Sequence, residues 1–128
     1  MADLVSLERI ERYYAATLLA VASLRFLNLG FLDLQAWDEA LYAVRSVGII
    51  QFGGILDQTS FSIGGLYSSL HPPLYVWLTS LSFLIFGVTE FAVRFFSAVF
   101  GGLTLMVIYK MGKELHSSKL GFIAAMLF

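Results

Sequence analysis

The chain has 128 residues, of which 59% are hydrophobic and only 13% charged, and its mean hydropathy is +0.81. Soluble domains carry roughly 25% charged residues, so this composition argues against a water-soluble fold and makes lipid the expected solvent. A net charge of −1 gives no footing for nucleic-acid binding, and the lack of cysteine excludes disulfides, thiolate metal sites and cysteine nucleophiles.

Residues 1–12 carry mixed charge (Glu8, Arg9, Glu11, Arg12) and precede an apolar run over 13–30. That length approaches the roughly 17–25 residues a helix needs to cross a bilayer, and it exceeds the h-region of a signal peptide. Arg25 lies near the far end of the run, where a long side chain either snorkels to the interface or faces a polar cavity. Residues 31–90 read as one long loop containing two amphipathic helices, about 38–51 and 72–86. In the first, Asp38, Tyr42, Arg45 and Ile49 share one side, while Ala40, Leu41, Val44, Val47 and Gly48 fall largely on the other. Asp38 and Glu39 sit in its first turn, where the backbone dipole favours anions.

Phe52 to Ser69, with paired glycines at 53–54 and 64–65, reads as flexible loop. His71-Pro72-Pro73 then opens the second helix, because prolines cost no hydrogen bond in a first turn. That helix, about fifteen residues long, is short for a crossing. Residues 91–109 have spanning length, with Ser97/Gly101 and Ala98/Gly102 spaced for close helix contact. A loop over 110–119 carries Lys110, Lys113 and Lys119, and a last apolar run over 120–128 is too short to span. This end predicts an amino-terminal piece of a longer polytopic protein.

Charge bias sets the expected topology. If 72–86 does not cross, Arg9, Arg12, Lys110, Lys113 and Lys119, five of the eight basic residues, share one side, which is then cytoplasmic. Asp38, Glu39 and His71 fall on the opposite, extracytoplasmic side. The fold class expected is an all-α polytopic membrane protein in the plasma (inner) membrane. Each polar candidate keeps two readings. Asp38 is a helix cap or a reactive carboxylate, and Glu39 a dipole complement or an acceptor contact. Arg45 is a solvated helix charge or a phosphate contact, and His71 an interfacial side chain or a ligand.

The order Arg25-x-Leu27-Asn28-Leu29-Gly30, Trp37-Asp38-Glu39-Ala40-x-Tyr42 and His71-Pro72-Pro73-Leu74-Tyr75-x-Trp77-Leu78 resembles the start of a GT-C fold glycosyltransferase. The stretch Gly87-Val88-Thr89-Glu90-Phe91-Ala92-Val93-Arg94-Phe95 also looks like that family. The closer branch holds protein O-mannosyltransferases, lipid A aminoarabinose transferases and related polyprenyl-phosphate-sugar transferases. The resemblance covers nearly all of this chain but only the first part of the family's usual length.

This resemblance implies a polyprenyl-phosphate-linked sugar as donor and a glycan, lipid or protein as acceptor, with transfer on the extracytoplasmic face. It implies Asp38 as the base that takes the acceptor hydroxyl's proton, in a direct displacement that inverts the anomeric centre. Glu39 and His71 stand near acceptor or metal, and Arg45 and His71 are candidates for the donor phosphate. Some relatives carry Glu-Lys before the two prolines where this chain has Leu70-His71, so a divalent metal through His71 stays open. On its own the chain is expected to show little or no activity. A non-catalytic small membrane protein, a subunit or a transporter fragment is the alternative of another class. A reading frame continuing past Phe128 through further spans separates the two.

Overall fold

The computed structural model describes residues 2–52 and 73–128, with side chains from Glu8 onward. The stretch expected as flexible loop lies, from Gly53 on, outside the described residues, as do His71 and Pro72. All regular structure among the described residues is helical: α1 (Ala2–Leu24), α2 (Asp38–Phe52), α3 (Pro73–Phe86), α4 (Glu90–Leu115) and α5 (Ser118–Leu127). The chain divides into two compact units. Unit 1 comprises Met1–Leu27 with Ser97–Phe128, and unit 2 comprises Asn28–Phe96.

In unit 1, α1 stops at Leu24, short of the end of its apolar run. Arg25, Phe26 and Leu27 each donate their backbone N–H to the carbonyl three residues back, a tightened last turn of the 3₁₀ kind. The apolar part of α1, residues 13–24, is about 18 Å long at 1.5 Å per residue, less than the roughly 30 Å of a hydrocarbon core. Among the described residues α4 is the one helix long and apolar enough to cross a membrane, with 26 residues and a mean hydropathy of 1.9 over its best window. It runs on through Leu115, so most of the expected 110–119 loop is helix. Lys110, Met111, Lys113, Glu114 and Leu115 are all good helix formers. Ser117 then caps α5, its hydroxyl accepting from Leu120 N–H at 3.3 Å.

Leu18, Leu105 and Ala125 form the core of unit 1, backed by Val21, Ala22, Tyr109 and Phe122. The two small pairs of α4 are used for close approach. A Cβ on Gly102 would lie 3.2 Å from that of Ala22, and one on Gly101 would lie 3.1 Å from an Arg25 guanidinium nitrogen. Arg25 packs over the Phe128 ring, 5.2 Å from its centroid, and its Nε is buried with no acceptor among the described residues. The carboxylate of Glu11 accepts from Lys113 Nζ and from Ser118 Oγ, each at 2.7 Å, which fastens α1, α4 and α5 at one point.

In unit 2, α2 and α3 pack through a seam of small polar residues. Ser46 Oγ donates to the Tyr42 carbonyl at 2.7 Å or to the Val76 carbonyl at 3.1 Å. Ser80 Oγ lies 2.8 Å from the same Val76 carbonyl and 3.3 Å from that of Ser46. Ala43, Phe83, Ala92 and Val93 make the core, with Leu34 and Val47 against it. Gly87, at φ +78°, ends α3 in the left-handed region that glycine tolerates, and Thr89 Oγ1 accepts from Ala92 N–H at 3.2 Å to open α4. Phe86, Phe91 and Phe95 form an aromatic cluster over that turn, with centroid separations of 4.8–5.9 Å.

The amphipathic assignment of α2 is corrected by this packing. Arg45 is 0% exposed and Ser46 is buried beside it, whereas Val44 is 53% exposed. Helix α3 follows the same rule: Thr79, Ser80 and Ser82 are buried, while Leu74, Leu81, Leu84 and Ile85 face outward. On both helices small and polar residues face the shared seam beside Val76 and Phe83, while several large apolar side chains face outward, as in helix contacts made through small residues.

Candidate active site

The segment leading into α2 supplies the acidic pair. Asn28 enters the left-handed region at φ 64°, which a short polar side chain accepts more readily than most. Phe31 N–H closes a turn on the Asn28 carbonyl at 3.1 Å. α2 then begins at Asp38, and its first turn holds both Asp38 and Glu39. Successive helix residues lie about 100° apart, so the two carboxylates face different surroundings.

Glu39 is held on all sides. Its Oε1 accepts from Arg94 Nε at 2.9 Å and its Oε2 from Arg94 Nη2 at 2.7 Å, the two-pronged geometry that suits guanidinium to carboxylate. Oε2 also accepts from the Gln35 N–H at 2.9 Å. Asp38, in contrast, is exposed, and makes no hydrogen bond or ion pair with the described residues. Trp37 beside it is 84% exposed. Arg45 is on the same helix, fully buried, and is not the solvated charge its position suggested. Tyr42 meets Tyr75 edge-on with ring centroids 4.8 Å apart, and Tyr75 Oη donates to the Val93 carbonyl at 3.0 Å, linking α3 to the start of α4.

Thus Asp38, Glu39 and Arg45 share one helix, Glu39 is joined to Arg94, and His71 lies outside the described residues. Sequence reasoning named Arg94 within the Gly87–Phe95 stretch but gave it no role. The signal for it was a cation four residues into an apolar helix, which in such surroundings requires a partner. No group of three His, Asp or Glu side chains placed to hold a metal ion occurs among the described residues. Both oxygens of Glu39 are engaged by Arg94 and the Gln35 N–H.

The Arg94 hydrogen bonds, followed in the same sense by the Gln35 N–H, hold the Glu39 carboxyl below the ordinary glutamate value against the opposing effect of burial. The folded-state value thus lies below the unfolded one of roughly 4.3. The pair's contribution to stability is complete above that value and is lost as pH falls through it towards the lowered one. Thermal unfolding followed from pH 7 to pH 3 should fall more steeply for the parent than for Glu39→Gln below about pH 4.3. Parallel curves for the two proteins would remove the pair from the acid response.

Comparison with known proteins gives the arrangement a context. The family described as dolichyl-phosphate-mannose-protein mannosyltransferase matches residues 70–128. An undecaprenyl phosphate-alpha-4-amino-4-deoxy-L-arabinose arabinosyl transferase of Pseudomonas savastanoi pv. phaseolicola is 33% identical over 121 residues, covering 92% of this chain and 22% of that protein. A polyprenol-phosphate-mannose–protein mannosyltransferase of Mycobacterium tuberculosis is 29% identical over 134 aligned positions, covering 99% of this chain and 24% of its own length. The chain is thus similar to glycosyltransferases named for polyprenyl-phosphate-linked sugars. An uncharacterized protein of Aquifex aeolicus is 30% identical over 106 residues, covering 83% of this chain and 21% of that protein. The chain thus spans between a fifth and a quarter of the length of these relatives. No solved structure matches it.

Proposed function

We propose that this chain is part of a membrane glycosyltransferase that moves a sugar from a polyprenyl phosphate to an acceptor hydroxyl on the extracytoplasmic face. The observation that carries the proposal is the division of labour in the acidic pair. Glu39 is consumed by its bonds to Arg94 and Gln35, while Asp38 next to it stays exposed. A carboxylate held at the opening of a helix, with its oxygens unspent among the described residues, is what a base for a hydroxyl nucleophile requires. In the step proposed, the acceptor O–H gives its proton to Asp38 as its oxygen bonds to the anomeric carbon. The bond from that carbon to the phosphate oxygen breaks at the same time, and the anomeric centre inverts. The departing lipid phosphate is a stable anion and needs no general acid; Arg45 and His71 remain the candidates for offsetting its charge.

An apolar groove of about 350 Å³ lined by Ala43, Val44, Val47, Gly48, Gln51, Phe52 and Val88 lies along the helix that Asp38 opens. It is the surface proposed for the donor's isoprenoid chain. The GT-C fold and the inner-membrane location belong to this same reading. Its sidedness is supported by the Glu11–Lys113 ion pair, which joins the amino-terminal basic segment to the lysine-rich end of α4.

The test is a transfer assay in membranes of the native host, with and without the gene, using labelled polyprenyl-phosphate sugars and right-side-out vesicles. Gene-dependent transfer with an inverted product, in vesicles whose outer face alone meets the acceptor, is expected. Transfer that survives deletion, or that occurs only in inverted vesicles, would refute the assignment.

A further inference from the structure

We propose that Arg94 is a positioning residue for Asp38, its guanidinium tying the chain that leads into α2 to the first turn of that helix. The inference rests on the proposed role of Asp38 and adds how that role is set up.

All five N–H groups of Arg94 are accounted for. Nε and one Nη2 hydrogen go to the two oxygens of Glu39 at 2.9 and 2.7 Å. The other Nη2 hydrogen goes to the Asp33 carbonyl at 3.0 Å. Nη1 donates to the carbonyls of Leu29 at 2.7 Å and Leu32 at 2.8 Å. A guanidinium has these five donors and no more, so the side chain is saturated by one segment of backbone and one carboxylate. Such an array does more than neutralise Glu39. It sets residues 29–33 and the start of α2 at fixed distances from α4, with Gln35 N–H on Glu39 as a further tie. Asp38, the neighbour of Glu39 in the chain, inherits that position through its backbone while its own side chain stays exposed.

Lysine keeps the charge but offers three donors from one point, so it cannot span a carboxylate and three carbonyls together. Glutamine at 39 keeps the shape and one acceptor oxygen. The cost of either change is a small displacement of Asp38, and displacements near 1 Å cost on the order of 100-fold in rate.

The experiment introduces Arg94→Lys, Glu39→Gln and the double variant at the chromosomal locus, and measures kcat, donor KM and folded protein in native membranes. The expected result is a fall in kcat of roughly 100-fold per folded molecule in each single variant, with donor KM unchanged. The double variant should be no worse than the poorer single, because both changes break one clamp. Losses that follow only the amount of folded protein, that add in the double variant, or that appear in KM alone would overturn the proposal. Asp38→Asn, assayed alongside, separates the two readings. If it is inactive while Arg94→Lys turns over at the parent rate, the positioning role alone fails. If it transfers normally, the base assignment and the positioning role fail together.

Discussion

Replacing Asp38 by asparagine should lower kcat for sugar transfer by about 10²–10⁴-fold, the range typical of losing a positioned general base. The substitution is close to isosteric, and it removes the negative charge and with it the capacity to accept a proton. Asp38 forms no bond with the described residues, so no structural partner among them is orphaned by the change. Its remaining structural role is to complement the dipole at the start of α2, worth about 0.3–1 kcal/mol at an exposed site. That is too little to unfold the protein, so the amount of folded enzyme and its Tm should stay close to the parent's. Donor KM should also hold, because the base acts on the acceptor. An Asp38→Asn enzyme that turns over within a few-fold of the parent would end the base assignment.

The second large effect belongs to the crossing of α4 and α5. Gly112 and Gly121 meet backbone to backbone: a Cβ on Gly112 would lie 2.5 Å from Gly121 Cα. On Gly121 a Cβ would overlap the Tyr109 carbonyl oxygen and lie 2.8 Å from Lys113 N. Backbone cannot swing aside as a side-chain tip can, so the two helices must separate to admit even one methyl group. Overpacking of this kind costs about 1–3 kcal/mol, and here it also strains the bonds from Lys113 and Ser118 to Glu11. Gly121→Ala should lower Tm by several degrees in detergent. Gly30→Ala is the comparison, since its Cβ would sit at an ordinary 3.4 Å from that of Phe91 and should be tolerated. Equal melting temperatures for the two variants would show that the crossing has slack.

What could be read from residues alone depended on how local the cause was. Helix starts at Asp38 and Pro73 follow from acidic and proline preferences that act within one turn. The helical class follows from apolar runs too long for strands and from lipid's demand that backbone groups be satisfied internally. Arg45 was misjudged because face assignment assumed water outside the helix, whereas the seam with α3 buries serines and turns Val44 outward. The end of α1 at Leu24 was hidden, since the residues after it remain apolar while the backbone changes its hydrogen-bonding pattern. Arg94 was out of reach for another reason. Its partner is 55 positions away, and nothing in either local sequence names the other. The exposed Asp38 and the occupied Glu39 look alike in sequence; among the described residues the position of Arg94 distinguishes them.

That separation also governs the order of manufacture. A ribosome adds about 5–20 residues per second, so roughly 3–11 s pass between the synthesis of Glu39 and that of Arg94. Through that interval Glu39 lacks its guanidinium partner, and the carbonyls of Leu29, Leu32 and Asp33 lack the Arg94 donors. Closing so long a loop carries an entropic cost that the saturated guanidinium offsets in one step. The acidic pair is therefore among the last features of unit 2 to acquire its geometry, set once the opening turns of α4 have been made.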